Sequence, residues 1–130
     1  MKKILPILAV IVAALFLYIF QSSRSPFMEY ELEGKTYKLM KADSREERAK
    51  GLMNYRSKAE LNGADGMIFI FPEKSFQQFW NENTYLDLEV YWLDGRQLVG
   101  KNSLPSIIKT KDVFVISSPK KVDRVIEIVK

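Results

Sequence analysis

Tyr85-Leu86-Asp87-Leu88-Glu89-Val90-Tyr91-Trp92-Leu93-Asp94-Gly95-Arg96-Gln97-Leu98-Val99 is the stretch that decides the fold. Leu86, Leu88, Val90 and Trp92 alternate with Tyr85, Asp87, Glu89 and Tyr91, the period of two that marks a strand with one apolar face. Asp94-Gly95 is a strong hairpin signal, because a tight turn needs the positive φ that glycine adopts freely. Gln97-Leu98-Val99 then begins the returning strand.

The flanking sequence supplies partners for this hairpin. Upstream, Met67-Ile68-Phe69-Ile70-Phe71 is a continuous apolar run stopped by Pro72, which predicts a strand buried on both faces. Further upstream, Phe27 to Leu32 alternates, Glu33-Gly34 turns, and Lys35 to Met40 returns, so the domain opens with a second hairpin. Ser44 and Glu47 have the spacing of a capping box, predicting a helix over Arg45 to Lys50 that ends at Gly51. Its charges read as a solvated face. Leu52 to Asp65 has no sustained period and is expected to be irregular. Downstream, Val113 to Ile116 and Val122 to Val129 give two more strands, split by Ser117-Ser118-Pro119. The expected class is α+β, mainly β: a curled antiparallel sheet or partly open barrel with one short helix.

Ahead of this domain, Ile4 to Phe20 is an uncharged apolar run that follows Lys2 and Lys3. Its length is at the lower edge of what crosses a hydrocarbon core of about 30 Å. Glutamine in one cleavage window and Pro26 after the other make processing poor. Residues 1–26 are therefore expected to be an uncleaved signal anchor with a short linker, and residues 27–130 the domain. The lysines precede the segment and only Arg24 follows it closely, so the N-terminus should be cytoplasmic and the domain extracytoplasmic. Secretion after cleavage is the alternative.

Composition narrows the chemistry. Hydrophobic residues make up 47% of the 130 and aromatics 12%, which argues for a packed domain and against disorder. Cysteine and histidine are both absent. That excludes a disulfide scaffold, a Cys/His zinc site, an iron–sulfur cluster, a cysteine nucleophile and a histidine base. The formal charge of +4 falls to +1 once Lys2, Lys3 and Arg24 are assigned to the anchor, so no nucleic-acid partner is expected. Gly34, Gly63, Gly66 and Gly95 form no phosphate-cradling pattern, and no Asp-rich calcium loop is visible. No cofactor and no metal are expected.

Candidate site residues concentrate in Phe79-Trp80-Asn81-Glu82-Asn83-Thr84 and the following Asp87 and Glu89. An aromatic platform beside amides and hydroxyls is how proteins grip sugars and other flat polar ligands. The plain alternative is that Phe79 and Trp80 are core and Asn83-Thr84 satisfies a turn. Asp87 and Glu89, two apart on one strand face, would lie about 6.6–6.8 Å apart at the backbone, a spacing that permits acid–base work without supporting it.

Taken in order, Gly51-Leu52-Met53, Arg56, Asp65-Gly66-Met67-Ile68-Phe69-Ile70-Phe71, Phe79-Trp80, Asn83-Thr84, Leu88-Glu89 and the closing Val125-Ile126-Glu127-Ile128 resemble the family called domain of unknown function 192. The resemblance covers about residues 27–130. It implies a small, mostly β domain, often behind a signal peptide or anchor, with no established activity. The family usually reads Trp-Met-Lys-Asn-Thr, where this chain has Trp80-Asn81-Glu82-Asn83-Thr84. What carries over is therefore Phe79, Trp80, Asn83, Thr84, Arg56 and Glu89.

The leading expectation is a non-catalytic, membrane-tethered module that binds a small polar or glycan-like ligand, or an envelope partner. Phe79, Trp80, Asn83 and Thr84 would form the contact, with Arg56 and Glu89 shaping the polar rim. The alternatives are a hydrolase or lyase using Glu82, Asp87 or Glu89, and a purely structural assembly factor whose Trp80 cluster is core.

Overall fold

The computed structural model describes residues 7–17 and 25–130 with their side chains, and the helical backbone of residues 4–22. In chain order the elements are α1 (Ile4–Ser22), β1 (Phe27–Leu32), β2 (Lys35–Ala42), α2 (Arg45–Lys50), β3 (Gly66–Ser75), β4 (Gln78–Trp80), β5 (Leu88–Asp94), β6 (Gln97–Leu104), α3 (Ile107–Thr110), β7 (Val115–Ser117) and β8 (Val122–Val129). A single 3-10 turn covers Lys58–Leu61.

Six strands form one sheet in the order β1-β2-β3-β8-β5-β6, while β4 and β7 pair as a separate ribbon. The sheet is open, with β1 and β6 as its edges, so the barrel alternative does not hold. It is also mixed: β2 and β3 run parallel, and every other pair is antiparallel. The parallel step follows from the connection between them, since parallel neighbours need a crossover and α2 with the 3-10 turn provides it. The one short helix expected within the domain, α2, is joined there by α3, and a helix, α1, covers the N-terminal run where one was expected.

Both predicted hairpins form. Glu33 and Gly34 both have positive φ, as a two-residue type I′ turn requires. Gly95 has a φ of +60° and the loop is Gly95-Arg96, joining Asp94 to Gln97. Ser44 and Glu47 make the capping box, each side chain accepting the other's backbone N–H at 3.1 Å, so α2 starts and stops where its sequence says. Two expectations on strand ends fail. Pro72 does not stop β3, because it falls where the β3–β8 register shifts between Ile70 and Ser75 and no ladder donor is needed. Tyr85 to Asp87 lie before β5, which begins at Leu88.

Alternation along the strands puts one apolar cluster on each face of the sheet. Phe69, Leu88, Val90, Trp92 and Val125 belong to one, and Ile68, Tyr91, Leu93, Ile126 and Ile128 to the other. The first cluster is covered by Leu52, Leu61 and Ala64 from the α2–β3 connection, and by Phe79 and Ile116 from the β4–β7 ribbon. This covered face carries the candidate site.

Among the described residues no helix is long and apolar enough to cross a membrane, so the structure does not support the span expected at residues 4–20. The α1 side chains that are described, those of residues 7–17, are all exposed. Lys2, Lys3 and Arg24, on which the expected orientation rests, lie outside the described residues.

Candidate functional site

The site is built where the end of α2 meets β4 over the covered face. Gly51 caps α2 with a φ of +51° and returns its N–H to the Glu47 carbonyl. A Cβ at this position would lie 3.2 Å from Cζ of Phe69. Glycine thus meets two demands at once, a left-handed turn and close approach to a core ring. Opposite this turn, β4 pairs with β7, so that successive residues face in and out. Phe79 faces in and packs edge-on against Phe69 at 4.8 Å and Trp92 at 5.6 Å between ring centroids. Trp80 faces out beside Val115 and is 54% exposed. A cleft of about 260 Å³ separates the two elements, lined among others by Arg48, Gly51, Gln78, Trp80, Thr84 and Glu127. That volume is just below the ~300–1,000 Å³ of ordinary ligand pockets, the scale of one small ligand unit.

Glu127 is the unexpected member. It sits mid-strand in β8, flanked in register by Met67 of β3 and Val90 of β5, and is 4% exposed. No side-chain hydrogen bond or ion pair from a described residue reaches its carboxyl, and burial alone pushes its pKa up to about 8. A lone carboxylate is expensive to bury and holds its proton instead. Among the described residues every fully buried side-chain nitrogen or oxygen has a partner. The unpaired Glu127 carboxyl therefore keeps its opening onto the cleft. Its backbone is fixed by close packing: a Cβ on Gly66 would lie 1.8 Å from the Glu127 carbonyl oxygen.

The structure divides the expected site residues. Phe79, Trp80 and Thr84 line the cleft. Thr84 is buried, donating its hydroxyl to the Glu82 carbonyl, while Asn83 is exposed in a left-handed turn with a φ of +51° and its carbonyl accepts the Asn54 N–H. Arg56 is not on the cleft rim: its guanidinium lies 3.7 Å from the centre of the Tyr85 ring. Glu89 is not on the rim either. It alternates with Leu88 and Val90 and so projects from the opposite face, where it pairs with Lys130 at 3.2 Å and accepts from Ser103.

The proposed acid pair of Asp87 and Glu89 does not share a strand face, since Asp87 precedes β5. Asp87 accepts the Lys109 ammonium and the Ser106 N–H, which together hold its pKa below the usual carboxylate range. Glu82 is half-buried and does not line the cleft. Asn81, fully buried, donates to the Pro105 carbonyl and Thr110 and accepts from the Phe114 N–H, so its amide ties β4 to α3 and β7. Among the described residues there is no cluster of acidic side chains able to hold a metal ion.

Sequence reading passed over Glu127, Gln78 and Arg48. Glu127 had a signal: an acid in phase with Val125 and Val129, inside the apolar second half of β8. Gln78 and Arg48 had none, because only the tertiary fold brings β4 and α2 together.

The domain is thus a mixed open sheet with a ribbon over one face and a cleft lined by Trp80. The chain belongs to the DUF192 family, described as "Uncharacterized ACR", whose model matches residues 28–130. No curated protein matches the chain. A crystal structure from Sinorhizobium meliloti 1021, described as that of a proposed transcription regulator, is similar at 24% identity with a TM-score of 0.59, covering 79% of this chain and 78% of that one. A protein of unknown function from Novosphingobium aromaticivorans DSM 12444 is similar at 22% identity with a TM-score of 0.61, covering 79% and 71%. At these identities the likeness carries the fold alone.

Proposed function

We propose that the protein is a non-catalytic binding module that holds a small polar or glycan-like ligand in the cleft between the Gly51 turn and β4. One observation carries this reading: an exposed Trp80 stands at the mouth of a cleft whose floor is a buried carboxyl engaged by no described side chain. Aromatic rings at a mouth and one polar group at depth are the usual arrangement for orienting a small ligand. The uncharged run from Ile4 to Phe20 behind Lys2 and Lys3 supports a membrane tether with the domain extracytoplasmic. An envelope protein is the second reading, favoured by the outer side of the β4–β7 ribbon, where Trp80 and Val115 are 54% and 51% exposed.

The chain has two tryptophans, and Trp92 is fully buried, so Trp80 is the reporter. The full chain is titrated with a panel of monosaccharides, amino acids and capped dipeptides while indole emission is followed. A saturable change, accompanied by a melting midpoint that rises with ligand concentration, supports the cleft. Emission that no member of the panel alters would overturn it.

A further inference from the structure

We propose that the cleft recognises a secondary amide, as in an N-acetyl group or a peptide bond, through Glu127 at its floor and Gln78 on its wall. The inference rests on the cleft reading above and names the chemistry it selects. Glu127 lies between Met67 and Val90 of the neighbouring strands, with Phe69 and Phe79 also on that face. Among the described residues none supplies an anion or cation at that depth. The charged groups that face the cleft are Arg48 and Lys50, both from α2. The elements packed around Glu127 otherwise present Met67 and Phe69 from β3, Val90 from β5, Gln78, Phe79 and Trp80 from β4, and Thr84. None of these titrates. Arg48 is already committed, donating at 2.9 Å to the carbonyls of Asp43 and Ile70. Lys50 lies 5.5 Å from the centre of the Tyr55 ring.

The floor is thus a carboxylic acid, kept protonated by burial up to about pH 8, that offers an O–H donor with no described side chain to receive it. Two cations near the mouth disfavour a positively charged ligand. Gln78 is exposed, and its amide makes one long contact, 3.4 Å from nitrogen to Ser117 Oγ, which leaves its carbonyl oxygen able to accept. A trans amide displays its C=O and N–H on opposite sides. It can therefore receive the Glu127 proton donor with one and donate to Gln78 with the other. A small apolar group beside the amide would lie against Phe69 and Phe79, and the body of the ligand against Trp80. The amide pairs groups that no described side chain pairs, which is where polar discrimination is greatest.

The test uses Trp80 emission of the full chain with four probes: N-acetylglucosamine, glucosamine, glucose and N-acetylalanine methylamide. The two acetylated probes should bind at least tenfold more tightly than glucose and glucosamine, and the preference between them separates a sugar from a peptide source. Wild-type affinity for N-acetylglucosamine should fall about tenfold per pH unit above pH ~8, as the acid loses its donor. Glu127→Gln keeps a donor and should bind within a few fold of wild type with no pH dependence. Glu127→Met should lose tenfold or more. Affinity that rises with pH, a preference for glucosamine, or undiminished binding by Glu127→Met would overturn the proposal. Equal binding of all three sugars overturns the amide alone and leaves the cleft standing. Emission that none of the four probes moves overturns both.

Discussion

Replacing Glu127 by glutamine should change stability little near pH 5 and raise it progressively toward pH 8. The folded chain holds the Glu127 proton up to about pH 8, against 4.5 for the ordinary side chain. Between these values the unfolded chain has released a proton that the native state keeps, so stability falls as pH rises. At about 1.36 kcal/mol per unit, the loss between pH 5 and pH 8 amounts to about 3.5 kcal/mol. This is an upper figure, because water entering the cleft would ease ionisation. For a domain near 100 residues it corresponds to a fall of roughly 15–25 °C in melting midpoint.

The other shifted pKa values among the described residues fall outside this window. Glu47, Asp65 and Asp87 have pKa values lowered by hydrogen bonds from Ser44, the Lys38 N–H and Lys109 respectively. Their stabilisation is present above the unfolded carboxylate range and is lost only as pH falls below it. Tyr91 and Lys74 are raised from values of 10.0 and 10.5, and so titrate above the window. Thermal melts of the full chain by circular dichroism from pH 5 to 8 should slope downward for wild type and run flat for Glu127→Gln. Parallel slopes for the two proteins, or a wild-type midpoint that rises across the window, would refute the claim that this carboxyl is buried without a partner.

Ser44→Ala should cost about 1 kcal/mol, read as a lower melting midpoint, since it removes the acceptor for the Glu47 N–H. Phe79→Ala should cost roughly 3–5 kcal/mol, for it deletes a ring packed edge-on against Phe69 and Trp92, whereas Trp80→Ala should stay within about 1 kcal/mol in the same melts. Gly66→Ala should abolish cooperative unfolding, because its Cβ would meet the Glu127 carbonyl oxygen at 1.8 Å and β3 would have to part from β8.

What the sequence made legible was local. The spans of β1, α2 and β8 follow from alternation and from the Ser44–Glu47 box, signals carried by neighbours within a few residues. The parallel pairing of β2 with β3 was half visible, since a strand, a helix and a buried strand in succession describe a crossover. The insertion of β8 between β3 and β5 was not visible, because strand order depends on contacts between residues some fifty positions apart. The same limit governs the site. Phe79 and Trp80 stood out as adjacent aromatics, and adjacency on a strand already implies one in and one out. Glu89 and Arg56 enter the expected rim through the family resemblance alone, with no local signal for where they point, and the parity of β5 sends Glu89 through the sheet to Lys130.

Asn81 and Glu127 show why burial of a polar side chain does not by itself mark a site. Both lie in the interior of the covered face, at 0% and 4% exposure. Asn81 has its amide nitrogen and oxygen bonded to Pro105, Thr110 and Phe114. Its hydrogen bonds are fully spent on the fold, and an apolar replacement would strand three partners. Glu127 is the reverse case: no described side chain bonds its carboxyl, so an apolar residue of similar size would pack there without leaving a donor unpaired. A buried acid that the fold does not use costs stability above its unfolded pKa. Residues that lower stability without serving the packing are characteristic of functional positions. Placed at the floor of a cleft with Trp80 at its mouth, Glu127 is better explained by what enters the cleft than by what surrounds it.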